Sequence, residues 1–102
     1  PTAVLCYNDV VAFGVMLGLE ASGRTPGQDV AVVGFDDIAE AALWHPPLTT
    51  LAVDPCRIGA EAARLLLDRI THPDDAPRQV ILPPRLVVRA SSGPRGDQEQ
   101  SA

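Results

Sequence analysis

Two short apolar runs, each ending abruptly on polar residues, organise the first part of the chain. Residues 3–7 are apolar without alternation and stop at Asn8-Asp9, and residues 30–35 are rich in β-branched side chains and stop at Asp36-Asp37. Unbroken apolar runs of this kind read as strands covered on both faces, as in a parallel sheet. Between them, residues 10–21 are apolar almost all round, with Glu20 as the only charge, and Ser22-Gly23 closes the stretch. The spacing predicts a helix buried on more than one side, ended by a C-terminal glycine. Pro26-Gly27 then marks a turn, which completes a β-α-β unit. Right-handed crossover makes the two strands neighbours or near neighbours, and ligands in open α/β sheets bind outside the carboxyl ends of strands. Asn8 and Asp36 are therefore expected to face one site.

Beyond this unit, Asp37-Ile38-Ala39-Glu40 has the spacing of a capping box, so a short helix through Leu43 is expected, and His45-Pro46-Pro47 must interrupt it. Residues 48–53 read as a third extended segment. Asp54-Pro55 suits the cap and first position of a helix running to about Ile70, with Ile58, Ala62, Leu65, Leu66 and Ile70 as its apolar stripe. Arg57 with Glu61 and Arg64 with Asp68 are spaced to pair on its wet side. After a loop at 72–77, residues 79–90 form a last extended stretch, broken by Pro83-Pro84, which confine it to a sheet edge or a crossover. From Ser91 onward the chain is polar and is expected to be disordered.

Length and charge narrow the function. The 102 residues, 46% of them hydrophobic, suit one small domain, and a chain that opens on Pro1-Thr2-Ala3 at the edge of a strand reads as a piece of something longer. The net charge is −5, all eight basic residues are Arg, and they form no cluster, which argues against a nucleic-acid surface on these residues. No apolar stretch reaches the roughly 18 residues that a membrane helix needs. Cys6 and Cys56 fit neither a metal-binding spacing nor a disulfide framework; they read as free thiols of a cytoplasmic protein. Cys6 or Ser22 as nucleophile and His45 or His72 as base share no signature, and the glycines lie past the turn where a phosphate loop would need them. Neither catalysis nor a metal or other cofactor is expected.

Asn and Asp at strand ends suit polyols, because a carboxylate accepts from paired hydroxyls while an amide both donates and accepts. The same residues before apolar helices also serve as caps, and the pattern leaves both readings open for Asn8 and Asp36. The first helix is equally double-edged. Phe13, Met16 and Leu17 pack either in the core or on another subunit.

Three segments in order, N-D-x-x-A-x-G at residues 8–14, V-V-G-F-D-D-I at 32–38 and P-P-L-T-T at 46–50, closely resemble the effector-binding domain of LacI/GalR-family bacterial transcriptional regulators. Residues 86–91 look like the family's final strand. The resemblance implies an α/β fold: part of a two-lobed, periplasmic-binding-protein-like (type I), Rossmann-like sensor domain with parallel strands flanked by helices. Residues 1–90 would be its C-terminal portion, crossing between lobes near 51–53, with helix 54–70 on the first lobe and 91–102 a disordered tail. It further implies a small-molecule effector, often a sugar, contacted by Asn8 and Asp36, with Tyr7 and Phe35 lining the cleft. A homodimer would form through Phe13, Met16, Leu17 and Trp44. Operator DNA would be bound only through an N-terminal helix-turn-helix that this sequence lacks. The same fold serves exported sugar receptors of uptake systems, the rival expectation.

Overall fold

The first strand, β1 (Ala3–Leu5), is followed by helix α1 (Asp9–Ala21) and by strand β2 (Ala31–Val33), which runs parallel beside it in the register Ala3 to Ala31, Val4 to Val32 and Leu5 to Val33. The computed structural model describes residues 1–94 of the chain. These form two units, Pro1–Ala52 together with the segment that begins at Arg85, and Val53–Pro84.

In the first unit a short helix, α2 (Ala39–Leu43), leads to strand β3 (Thr50–Ala52), against which β4 (Arg85–Val87) lies antiparallel. Isolated parallel bridges, Val33 to Thr49 and Asp36 to Ala52, tie β2 to β3. The expected α/β architecture of parallel strands with flanking helices is therefore what the chain adopts. Of the long extended stretch expected at 79–90, only three residues make a ladder. The reason is chemical: Pro83 and Pro84 bring no N–H to pair with.

The core lies under α1. Ala12, Phe13 and Met16 pack on Val32, Ala41 and Leu48, with Cys6, Val15, Leu19, Ile38 and Trp44 around them. Met16 and Leu48 are completely buried, each worth roughly 1.5–3 kcal/mol relative to exposure. Phe13 stacks on Trp44 with ring centroids 4.1 Å apart and planes within 16°. Phe13 and Met16, expected at a dimer interface, thus belong to the chain's own core, and Trp44 is half-buried against Phe13. Of that set Leu17 alone is exposed. Sequence could not separate these residues because α1 is apolar on every side, and only one side meets the sheet. The opposite face, with Val10, Val11, Gly14, Leu17 and Gly18, is open.

The C-terminal segment departs from expectation. Ser91 and Ser92 do not start a disordered tail but lie in a 3-10 turn at Ala90–Ser92, and Ser91 is fully buried. Its hydroxyl accepts from the Thr49 N–H (2.8 Å) and donates to the Val32 carbonyl (2.6 Å), while the Thr49 hydroxyl bonds Arg89 and Ser92. Polar residues read as solvated here satisfy buried backbone instead. Residues 95–102, the rest of that expected tail, lie outside the described residues. Ser91→Ala leaves the Thr49 N–H and the Val32 carbonyl without this partner and is expected to destabilise the unit by about 2 kcal/mol. Urea unfolding checks it: a midpoint equal to wild type would show that the clasp contributes nothing.

The second unit is helix α3 (Pro55–Thr71) and the loop after it. Asp54 caps it as expected, accepting from the Arg57 N–H at 3.1 Å with Pro55 behind it. No residue of α3 is buried, so its apolar stripe, including Ile58, Leu66 and Ile70, stands open. Its ion pairs differ from those expected: Arg64 reaches Glu61 at 2.8 Å, and Asp68 pairs with Arg78. Partners three and four positions away are nearly equivalent on an exposed helix, so spacing did not decide for Arg64, and Asp68 takes a partner from beyond the helix that no helical spacing could indicate. Among the described residues, no helix is long and apolar enough to cross a membrane.

Candidate ligand-binding edge

The parallel ladder brings the polar ends of β1 and β2 together. Past the last paired residues the Cys6 N–H donates to the Val33 carbonyl at 2.8 Å, and the Asp9 N–H to the Phe35 carbonyl at 3.0 Å. Tyr7-Asn8 and Phe35-Asp36 are thereby held alongside each other at one edge of the sheet. Tyr7 is strongly exposed and Phe35 half-buried.

Asn8 caps α1, its Oδ1 accepting from the Val11 N–H at 2.9 Å. This is the capping reading, yet it uses only the amide oxygen. Among the described residues the Nδ2 hydrogens have no acceptor, so the two roles are compatible in one side chain.

Asp36 is exposed, and among the described residues its carboxylate accepts no hydrogen bond. Its N–H is fixed, donating to the Leu51 carbonyl at 2.9 Å, and its φ is +121°. Asp37 follows at φ +60°. Two consecutive non-glycine residues at positive φ are uncommon, and backbone strain of this kind clusters at functional sites.

The expected capping box is absent. The residue before α2 is Ile38, which offers no side-chain cap, and the Asp37 carboxylate instead takes Arg89 at 2.9 Å. With Asp37 in the left-handed region, its side chain is carried away from the helix start. The cap comes from a distance: Asp9 Oδ2 accepts from the Ile38 N–H at 2.8 Å, and Asp9 Oδ1 from the Thr50 hydroxyl at 2.6 Å. Asp9 and Thr50 are both fully buried. The sequence pattern placed Asp9 only at the polar end of the first apolar run and Thr50 only in an extended segment. The available signal was two threonines in an otherwise apolar strand.

Of the three carboxylates here, Asp9 is satisfied by two donors and Asp37 by a guanidinium, so Asp36 alone remains open and negative. Such an edge suits hydroxyl donors and repels phosphates and carboxylates. Cys6 lies nearby, and burial pushes its thiol pKa up, away from the reactive thiolate. A broad concavity also lies on the second unit, beside Leu65, Leu66, His72 and Pro77. It follows the uncovered stripe of α3 and contains none of the residues expected to meet a ligand.

A model of the periplasmic binding protein-like domain matches residues 1–92. The HTH-type transcriptional repressor PurR of Haemophilus influenzae is 38% identical over 94 residues, a match covering 89% of this chain and 28% of that protein. Among solved structures, a LacI family transcriptional regulator from Enterococcus faecium with bound ribose has a TM-score of 0.78 at 37% identity, covering 92% of this chain and 35% of that one. The Lac repressor dimer bound to operator and an anti-inducer has a TM-score of 0.83 at 34% identity, covering 92% and 28%. The chain thus spans a little over a quarter of the length of the curated relatives it matches.

Proposed function

This chain belongs to the periplasmic binding protein-like family, among its LacI-type regulators, and on that premise we propose that it is the effector-binding portion of a cytoplasmic transcriptional repressor that senses a small polyhydroxylated molecule, a sugar. The observation that carries the reading is Asp36, an open carboxylate held by strained backbone at the carboxyl end of β2 beside Asn8. Asp36 accepts from two neighbouring ligand hydroxyls, Asn8 donates through Nδ2 to a ligand oxygen, and Tyr7 and Phe35 offer ring faces to the sugar's C–H surface.

Ligand binding acts by linkage. It favours the arrangement of the protein that binds it more tightly, and the response is set by that difference in affinity. DNA contact belongs to an N-terminal helix-turn-helix, consistent with an acidic sensor. A second copy packs on the open face of α1, where Val10, Gly14, Leu17 and Gly18 allow close approach; this replaces Phe13 and Met16 as the dimer contact. The repressors among the relatives favour this reading over an uptake receptor, and the ribose-bound relative supports a sugar.

Calorimetric titration of the intact regulator with ribose, cellobiose and lactose, followed by operator-release assays with any sugar that binds, tests the proposal. Asn8→Asp sharpens the test. Asp caps as well as Asn, so the melting temperature stays unchanged, but the Nδ2 donors are lost and affinity is expected to fall about tenfold. Unchanged affinity in that variant would remove Asn8 from the site.

A further inference from the structure

We propose that Asp9 is the positioning residue of this edge, its carboxylate locking the loop that carries Asp36 to strand β3. The inference rests on the effector reading above for its functional meaning, and on geometry for the lock itself.

Asp9 is buried without access to solvent, yet its carboxylate makes no hydrogen bond to its own helix, which Asn8 caps. Both of its bonds reach distant segments, Ile38 N–H on one oxygen and the Thr50 hydroxyl on the other. Backbone bonds pin the loop at Gly34 N–H to the Thr49 carbonyl, Asp9 N–H to the Phe35 carbonyl, Asp36 N–H to the Leu51 carbonyl and Ile38 N–H to the Asp9 carboxylate, and Arg89 holds the Asp37 side chain. Between the Asp36 and Ile38 bonds sit the two residues at positive φ. Strained backbone persists only where its surroundings over-determine it. The direction of the Asp36 carboxylate therefore depends on Asp9, and the direction of Asp9 on Thr50. Buried networks of this kind specify one geometry when every member is satisfied.

The test substitutes Thr50, since loss of Asp9 itself endangers folding. Thr50→Val keeps the shape and removes the hydroxyl; Thr50→Ser restores it. Leu19→Ala is the control, because it removes core packing in the same unit away from Asp9 and from the segment that pins the loop. In the ligand-free protein, Thr50→Val is expected to accelerate amide hydrogen exchange at Ile38 about tenfold relative to the amides of α1, and Thr50→Ser to restore it. In the intact regulator, titrations with ribose, cellobiose and lactose should show affinity about tenfold weaker in Thr50→Val, near wild type in Thr50→Ser, and unchanged in Leu19→Ala despite its lower stability. Exchange at Ile38 unaltered by Thr50→Val would overturn the proposal, as would an affinity loss no greater than that of Leu19→Ala. If the wild-type regulator binds none of the three sugars, the sugar reading fails, and the Ile38 exchange still decides the lock.

Discussion

In the intact regulator, Asp36→Asn is expected to weaken ligand binding about 100-fold or more, some 2.7 kcal/mol, while leaving operator affinity at its wild-type value. In the proposed complex the carboxylate accepts from two hydroxyls with charge assistance, and the amide would replace one acceptor by a donor that faces a hydroxyl hydrogen. Asn is also the residue best suited to inherit the backbone, since Asn and Asp tolerate positive φ better than other side chains. Any loss is therefore chemical and not conformational. Asp36→Gly separates the two contributions further. Glycine adopts φ +121° freely, so this variant should gain about 1 kcal/mol in stability while losing the ligand response altogether. A residue placed there for folding would behave in the opposite way. Titration calorimetry and thermal unfolding on the same samples provide both numbers, and full induction by Asp36→Asn would end the assignment of the site.

That opposition between stability and binding explains how far the sequence could be read. The β-α-β unit and the meeting of Asn8 with Asp36 were legible because apolar runs ending on polar residues encode strands and their ends directly. The capping of α3 by Asp54 with Pro55 behind it was legible for the same reason: its causes lie within one helical turn. What was not legible depends on partners far apart in the chain. Asp9 takes its two donors from positions 38 and 50, Asp37 finds Arg89, and Ser91 turns from a presumed loop residue into a buried clasp on Thr49 and Val32. No local pattern distinguishes a serine that solvates a tail from one that satisfies two buried backbone groups. The inner and outer faces of α1 were likewise indistinguishable, since both are apolar and only the sheet decides between Phe13 and Leu17.

Gly34→Ala is expected to destabilise the first unit by about 3 kcal/mol. An added Cβ would collide with the Asp9 carboxylate, meet Leu48 Cδ2 at 2.9 Å and Asp9 Cα at 3.2 Å. None of these can yield easily. Leu48 and Asp9 are wholly buried, and Asp9 is held by Ile38 and Thr50. To make room, the carboxylate must leave at least one donor, so overpacking is added to the loss of a buried charge-assisted bond. Gly14→Ala provides the contrast. A Cβ there meets nothing within 4 Å, and the helix gains about 0.5–1 kcal/mol. Urea unfolding of both variants in a monomeric background should move the midpoints in opposite directions. A Gly34→Ala midpoint within error of wild type would mean that Asp9 can reorient at little cost, which would also weaken the case for its lock on the Asp36 loop. The two results are linked because one methyl group tests the same contact from the other side: if the fold needs glycine at position 34, it is because the Asp9 carboxylate, the Asp9 backbone and Leu48 leave a Cβ no room.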